Sequence, residues 1–332
     1  MKKLFLRSFA AGGQMPTDSS LREACAMRTL SSNWIALCCV LFFTSLIKVQ
    51  SRAQSTPLVD KPIQFLDQMV IQGTDSIVVP GGTILIGEVH GTWETPILVA
   101  TLSRQAASQD VETILCVELS SSEQASIDHF LSSDGGKDAK NSLLRNPHCT
   151  NQDGRASIAM FALLELTRQL RSDGKKIQVV AMDSNLTIPD GDFASLPPEK
   201  LKELEVLAKG RDHEMARSVI QAREKSAKAI VIVYAGNVHT KVTKGAPWDP
   251  TYIPMGWYVS QKVKDLVSLN VEDAGGQAWV FTERGAGPTS FSGQDRTRTE
   301  DGQFGGRLRL RDCFSTILWT CTTPATVPAS NG

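Results

Sequence analysis

A glutamate and a histidine lie two residues apart in the segment 87–94 (GEVHGTWE), directly after a short apolar run. In extended backbone, residues at positions i and i+2 point to the same face, so Glu88 and His90 can approach one ligand or one water molecule. The flanking glycines, Gly87 and Gly91, allow a sharp turn and close approach of a ligand. A carboxylate beside an imidazole suits general acid–base chemistry or metal binding.

Acidic or histidine side chains follow three other apolar runs as well, at Glu118, Asp183 and His239. In open α/β sheets, ligands bind beyond the carboxyl ends of the strands, so these side chains are expected to meet at one rim. Crowded carboxylates need a counter-charge. Three candidates are a metal ion, a protonated histidine, or Arg211, which lies in a predicted helix and can bind carboxylates with two hydrogen bonds.

Other polar residues near these motifs have structural interpretations of similar or greater weight. Glu94 falls in the first turn of a predicted helix, where a carboxylate interacts favourably with the helix dipole. Asp212 and Glu214 are predicted to point away from the face that carries Arg211 and to be solvated or structural. Three weaker ligand candidates on a helix or a polar loop are His129, His148 and His213.

The elements that must position these residues alternate between strands and helices. Strands are predicted at 83–86, 112–117, 177–182, 229–235 and 277–282, with an edge strand within 308–320. Helices are predicted at 94–108 and 156–172, and from Pro197-Pro198 to about Lys228. This alternation predicts an α/β fold with a mixed, mostly parallel central sheet and helices on both faces.

Two long polar segments interrupt this alternation. Residues 132–155 are rich in Gly and Asn, and residues 284–306 combine Gly-Ala-Gly-Pro with alternating charges. Loops of this length within a compact domain are commonly binding loops, lids or disordered segments. We expect the first to overhang the site and the second to be flexible, with plain surface loops as the alternative for each.

The composition excludes several classes of protein. The 332 residues include 35 basic and 35 acidic ones, and 41% of residues are apolar, so the chain is neither disordered nor basic enough overall to indicate nucleic-acid binding. The 7 cysteines are too few for a disulfide scaffold. Phosphate-binding glycine loops, G-x-S-x-G elbows and CxxC pairs are missing from the sequence, which disfavours nucleotide enzymes, serine hydrolases of that type and thiol redox enzymes.

The N-terminal 53 residues contain seven basic and two acidic residues, which leaves the remaining chain with a net charge of −5. Within them, 34–47 (WIALCCVLFFTSLI) is too short for a typical membrane span but suits the apolar part of a signal peptide. Small residues precede a cleavage site after Ala53, and Met27-Arg28 resembles a signal-peptide start. We therefore expect export to the periplasm or the medium, with Met27 as the true start.

The alternative is a membrane anchor formed by 34–47 that is not cleaved, which would be the chain's one contact with a membrane. After the signal region, the prediction is a linker at 54–75 and a single α/β domain at 76–325. Export would expose cysteines to an oxidising compartment, where Cys313 and Cys321 could pair locally. Cys116, within an apolar strand, is predicted to be a buried thiol.

Four short motifs together resemble the erythromycin esterase-like proteins. They are Gly87-Glu88-x-His90-Gly91-Thr92-x-Glu94, Arg211-Asp212-x-x-Met215-Ala216, Gly236-Asn237-x-His239 and Met255-Gly256. The same outline is shared with the ChaN-like haem-binding proteins and the Tiki (TraB) metalloprotease-like proteins, and the resemblance covers residues 76–282. The Glu-x-His spacing is closer to the ChaN and Tiki pattern, because the esterase pattern usually has one more residue there. The chain is also shorter than typical esterases.

The resemblance implies an exported hydrolase that cleaves an ester or amide bond of a small-molecule or peptide substrate. Glu88 or Glu118 would act as general base, His90 and His239 would orient water, stabilise an oxyanion or bind a metal, and Arg211 would neutralise charge. A metal set of Glu88, His90 and His239 would suit Zn, Mn or Fe.

The alternative that the resemblance implies is a haem-binding uptake protein without catalysis. Haem requires an axial ligand and an apolar slot. The sequence offers His90, His239 and Met255 as cofactor-binding residues, together with Tyr234.

Overall fold

The structure is a computed structural model of the chain. It describes residues 66, 71, 74–144, 154–155, 157–184, 197–246, 249–273, 275–282, 285–292 and 306–310. The predicted signal region, nearly all of the predicted linker and the Cys313–Cys321 pair lie outside the described residues. Among the described residues, no helix combines the length and the apolar character needed to cross a bilayer.

The described residues include eight strands, which form two separate sheets. They are β1 (Thr83–Glu88), β2 (Thr113–Ser120), β3 (Ile177–Asp183), β4 (Ile230–Gly236), β5 (Leu266–Asp273), β6 (Gly275–Thr282), β7 (Gly285–Ser292) and β8 (Gly306–Leu310). Six of them make the main sheet in the order β3-β2-β4-β1-β5-β8, and all pairings within it are parallel. Strands β6 and β7 pair antiparallel as a hairpin outside that sheet.

Six helices are described together with two short 3-10 turns. The helices are α1 (Glu94–Ser108), α2 (Gln124–Leu131), α3 (Lys137–Leu144), α4 (Ile158–Ser172), α5 (Pro198–Lys225) and α6 (Met255–Ser260). The 3-10 turns are Thr74–Ser76 and Ser121–Glu123. Helix α4 begins at a capping serine, because the Ser157 hydroxyl accepts a hydrogen bond from the Met160 N–H at 3.2 Å.

The core lies on both faces of β1, β2 and β4, which are three of the four inner strands of the main sheet. Their apolar, largely β-branched residues are buried along almost the whole strand, as expected for parallel strands covered on both sides. One face packs against the apolar side of α5 and against α6, which together form a single buried cluster with the strands. Helices α1 and α4 contact the same sheet but contribute nothing to that cluster, so they cover the other face.

The predicted α/β class is confirmed, and helix α1 has the predicted bounds. Among the described strands, the pairings of the central sheet are all parallel, and the antiparallel pair is the separate hairpin. The strand predicted at 277–282 exists as β6 but belongs to that hairpin. Beside β1 lies β5, which was not predicted because Ser268 and Asn270 interrupt its apolar pattern with buried polar residues.

The two segments predicted as loops contain regular structure. Helix α3 lies within 132–155, and β7 occupies the start of 284–306, where its ladder to β6 satisfies a glycine-rich backbone. Residues 293–305 lie outside the described residues. The predicted edge strand corresponds to β8, which starts two residues before 308 and pairs with β5 at the edge of the main sheet.

Candidate active site

The carboxyl ends of four neighbouring strands meet at one rim of the main sheet. Because β3, β2, β4 and β1 are adjacent and parallel, they bring Asp183, Glu118, Gly236 and Glu88 to the same edge. The three carboxylates are almost completely buried, whereas the histidines and arginines beside them are partly accessible to solvent. The rim is therefore a concentration of negative charge that requires compensation.

The end of β1 forms a short hydrogen-bonded unit. One oxygen of Glu88, Oε1, lies 2.7 Å from His90 Nδ1, and the other, Oε2, accepts a hydrogen bond from the Tyr234 hydroxyl at 2.6 Å. Burial raises the pKa of Glu88, and the contacts with His90 and Tyr234 counteract part of that rise. The predicted Glu88–His90 pair is thus present, and it is supported from β4 by a tyrosine.

His90 lies between two carboxylates. Its second nitrogen, Nε2, is 3.6 Å from Oε2 of Glu118, while Nδ1 contacts Glu88. Burial opposes protonation of the ring, but the charge of Glu118 and the contacts with both carboxylates outweigh burial and raise the pKa of His90 to about 10. His90 is therefore a cation at neutral pH.

Glu118 at the end of β2 is a fixed anion. It accepts hydrogen bonds from the Gly236 N–H at 2.7 Å and from Arg211 Nη2. Burial opposes its ionisation, but the positive charge of Arg211 and the charge and hydrogen bond of His90 outweigh burial and hold the pKa of Glu118 well below its usual range. A carboxylate held ionised in this way is a poor proton acceptor and a strong anchor for cations.

Arg211, from helix α5, supplies the counter-charge. Its Nε and Nη2 donate to the two oxygens of Asp183, each at 2.7 Å, and Nη2 also donates to Glu118. Burial opposes its charge, but Glu118 and Asp183 raise the pKa of Arg211 well above its ordinary value. Of the three counter-charges considered from the sequence, the described residues thus contain the arginine and one protonated histidine.

A second arginine, Arg155, also reaches these carboxylates and was not predicted from the sequence. Its Nη1 donates to Asp183 Oδ2 at 2.9 Å and lies 3.4 Å from Glu118 Oε1. It comes from the end of the polar segment 132–155, in which no periodic pattern marks one residue over another. Two guanidinium groups therefore bind the same pair of carboxylates from different elements.

His239 contacts two adjacent residues of α5. Its Nδ1 lies 2.8 Å from Asp212 Oδ1, and its Nε2 lies 3.0 Å from Arg211 Nη1. Asp212 also accepts hydrogen bonds from the Tyr252 hydroxyl and, at 2.7 Å, from the Met255 N–H. The prediction that Asp212 points away from the site is wrong, because the chain after β4 folds back over α5 and encloses it.

Asp212 remains ionised despite its burial. Burial opposes ionisation, but the hydrogen bonds with His239, the Tyr252 hydroxyl and the Met255 N–H lower the pKa of Asp212. Its neighbours on the helix are more accessible to solvent, since His213 is exposed and Glu214 is half-buried. The carboxylate of Asp212 therefore holds the imidazole of His239 in one orientation.

The donor arrangement does not fit a divalent metal or haem. The described residues contain no group of three or more His, Cys, Asp or Glu placed to hold a metal ion. Both oxygens of Glu88 and both nitrogens of His239 have partners within the rim. The Met255 side chain is fully buried in the core, and Tyr234 is hydrogen bonded to Glu88, so metal and haem binding stay predictions that this geometry does not support.

The remaining sequence candidates lie apart from this network or have local roles. Glu94 is buried at the start of α1, where its Oε2 accepts a hydrogen bond from the Trp93 N–H at 3.1 Å. His129 is exposed on α2, and His148 lies outside the described residues.

The fold and the rim define an α/β protein with a strand-end site of paired carboxylates, histidines and arginines. No family model matches the chain, and no curated protein matches it. Solved structures do: a Bacillus cereus protein is similar over 78% of this chain and 99% of its own, with 12% identity and a TM-score of 0.56. This level of identity shows a shared fold alone.

Two further solved structures are similar to this chain in fold. The erythromycin esterase EreC, in its open conformation, is similar over 72% of this chain and 83% of its own, with 14% identity and a TM-score of 0.52. A succinoglycan biosynthesis protein is similar over 80% of this chain and 93% of its own, with 11% identity and a TM-score of 0.53. The resemblance to erythromycin esterase-like proteins is therefore confirmed at the level of fold.

Proposed function

We propose that the protein is a hydrolase that cleaves an ester or amide bond, with water as the nucleophile and the strand-end rim as the active site. The observation that carries the proposal is that the two histidines differ in the nearest partner of Nε2. In His90 that partner is Glu118, at 3.6 Å. In His239, Nε2 lies 3.7 Å from Glu118 as well, but the Arg211 guanidinium is nearer, at 3.0 Å. Environments that separate acid from base in this way are typical of acid–base sites.

His239 is the proposed general base. A guanidinium can only donate hydrogen bonds, so Nε2 of His239 must carry its lone pair toward Arg211, and the proton lies on Nδ1 beside Asp212. The lone pair of Nε2 is therefore held in one orientation by the contact of Nδ1 with Asp212, as a general base requires. This assignment replaces Glu88 and Glu118, the bases considered from the sequence, because both are buried and bound to cations.

The reaction requires one change of partner. Substrate or its water must take over the Arg211 N–H that now bonds Nε2, after which Nε2 accepts a proton as the water oxygen attacks the carbonyl carbon. The negative charge that develops on the carbonyl oxygen is stabilised by the His90 cation and by Arg211. The carbon–oxygen or carbon–nitrogen bond then breaks, and the leaving group takes the proton from His239.

The test compares three histidine variants on a panel of chromogenic ester and amide substrates. We expect His239→Gln to lower kcat/KM about 100-fold or more and His90→Gln to lower it by a similar factor, since general base and oxyanion contributions are each of that order. His213→Gln is the matched control, because His213 is exposed on α5 and lies outside the network. Full activity in His239→Gln would exclude it as the base.

A chelator gives an independent test of the metal prediction. We expect activity to survive EDTA, because cations on the rim are already supplied by Arg211, Arg155 and His90. If EDTA abolishes activity and Zn, Mn or Fe restores it, the water would be activated by the metal and the role of His239 would have to be reassigned.

We also propose that this hydrolase is exported. The support is the short apolar segment 34–47 followed by small residues before a cleavage site at Ala53. Expression from Met1 and from Met27, followed by mass spectrometry of the product, should give a mature chain that begins at Gln54 from both starts. A membrane-bound product that retains 34–47 would instead indicate an anchor.

A further inference from the structure

The β6–β7 hairpin touches the rim through the backbone of one residue. The Trp279 N–H donates to the Gly91 carbonyl at 3.0 Å, and Gly91 directly follows His90. The ladder between β6 and β7 satisfies the hairpin's own pairing, and an isolated two-stranded hairpin is marginal in water. The hairpin therefore depends on contacts with neighbouring segments for its stability. One of these segments is the loop that carries His90.

Two glycines allow this contact, and neither leaves room for a side chain. Gly91 has φ +80°, and a Cβ there would lie 2.0 Å from the Trp279 carbonyl oxygen. Gly154 has φ +91°, and a Cβ there would lie 2.6 Å from the same oxygen and 2.8 Å from the Gly91 nitrogen. Three backbone segments thus meet around one peptide group at less than the separation a methyl group needs.

Each glycine is next to a charged residue of the rim. Gly91 follows His90, which contacts Glu88 and Glu118, and Gly154 precedes Arg155. Arg155 in turn donates to Asp183. A shift of the Trp279 peptide would therefore be transmitted through one covalent bond to two cations on opposite sides of Glu118.

We propose that the Trp279 peptide is a positioning group for the active site, which sets the places of His90 and Arg155 and makes the β6–β7 hairpin a working part of the rim. The catalytic consequence rests on the proposed hydrolase function. Trp279 acts through the two glycines, so it is a positioning residue. Loss of its contacts would misplace the His90 cation, and displacements of about 1 Å can cost about 100-fold in rate.

The test uses three glycine-to-alanine variants that share the same backbone strain. Gly91→Ala and Gly154→Ala add a methyl group against the Trp279 peptide, whereas Gly174→Ala, at φ +79°, adds one where nothing lies within 4 Å. We expect the first two to lower kcat by about tenfold or more with a smaller change in KM. Gly174→Ala should lose stability through strain but keep kcat. Equal kcat in all three folded variants would overturn the proposal.

A second readout does not depend on activity. The ring N–H signals of His90 in the NMR spectrum, assigned by their loss in His90→Gln, should be slow to exchange in the wild type because of the 2.7 Å contact with Glu88. We expect faster exchange in Gly91→Ala and Gly154→Ala but not in Gly174→Ala. Unchanged signals would overturn the positioning role, while a wild type that hydrolyses no substrate but shows these changes would overturn the hydrolase function alone.

If the variants at Gly91 and Gly154 do not fold, hydrogen exchange of the wild-type backbone in mild denaturant decides the question. The amides of β6 and of the loop 89–92 should open together, with one dependence on denaturant, because each holds the other in place. A hairpin that exchanges freely while that loop stays protected would overturn the proposal.

Discussion

His90 and His239 both lie within 4 Å of Glu118, and the residues around the two rings define two halves of the rim that are similar but not identical. Each imidazole has Nδ1 beside a buried carboxylate, Glu88 in one case and Asp212 in the other. Each of those carboxylates is also bonded to a tyrosine hydroxyl. The main difference lies at Nε2. In both rings this nitrogen lies within 4 Å of Glu118, but in His239 the Arg211 guanidinium is nearer, at 3.0 Å.

The nearest partner determines the hydrogen-bonding role of Nε2 in each ring. Facing a carboxylate, Nε2 of His90 must carry a proton, and facing a guanidinium, Nε2 of His239 must carry a lone pair. Arg211 is therefore the group that makes the two halves unequal, since it neutralises Glu118 and Asp183 and also contacts His239. We therefore expect the largest losses of stability and activity from substitutions that make the surroundings of His90 and His239 more alike.

The largest expected effect is that of Arg211→Met. It leaves Glu118 and Asp183 with only part of their compensation, from Arg155, and removing one partner of a buried ion pair costs about 3–5 kcal/mol. We expect a loss of that size in the free energy of unfolding, measured with urea, together with a loss of activity.

Arg217→Met is the control for this change. Arg217 lies on the same helix, exposed to solvent, and pairs with Glu214. Its removal should cost at most about 0.5 kcal/mol, as for other exposed ion pairs. Equal losses in the two variants would mean that the rim carboxylates do not depend on Arg211.

The next effect is a pH dependence that comes from the His90 half alone. The folded protein raises the pKa of His90 from 6.5 to about 10, so the stability this gives is fully present below pH 6.5 and is lost as the pH rises toward 10. We expect the free energy of unfolding to fall by up to about 1.4 kcal/mol per pH unit within that window.

Urea titrations between pH of about 6.5 and about 8.5 measure this slope. The upper limit reduces the contribution of the Cys116 thiol to the pH dependence. Burial also raises the pKa of Cys116, to about 12, so its unfolded thiol begins to ionise above that range and would add its own slope. His90→Gln should flatten the dependence, whereas His239→Gln should leave most of it. An unchanged slope in His90→Gln would show that His90 does not hold its proton more tightly in the folded state.

The site residues that lie at strand ends could be predicted from the sequence, because they follow local patterns of apolar residues. Apolar β-branched runs mark β1, β2 and β4, and because these strands are parallel and adjacent, their polar ends had to meet. Glu88, His90, Glu118, Arg211 and His239 were all predicted as site residues, and the structure brings them together. The pattern carried this far because strand ends in a parallel sheet share one edge.

The missed residues depend on contacts between distant segments. Arg155 lies 37 residues from Glu118 along the chain, in a segment without periodicity. Asp212 is adjacent to Arg211 on a helix, where neighbours point in different directions, so helical geometry predicted that only one would reach the rim. Residues after β4 overturn that expectation, since Tyr252 and the Met255 N–H surround Asp212 from the other side.

The smallest expected effects are those of removing the hydroxyl of Tyr234 or Tyr252. The order of the two losses tests whether Glu88 and Asp212 depend equally on their tyrosine partners. Tyr234→Phe leaves Glu88 with His90 as its one hydrogen-bond partner among the described residues, whereas Tyr252→Phe leaves Asp212 with His239 and the Met255 N–H. We therefore expect a loss in the free energy of unfolding of about 1.5–3 kcal/mol for Tyr234→Phe and about 0.5–1.5 kcal/mol for Tyr252→Phe, measured with urea at neutral pH. The reverse order would mean that Asp212 is held mainly by Tyr252, and that the orientation of His239 depends on the chain after β4.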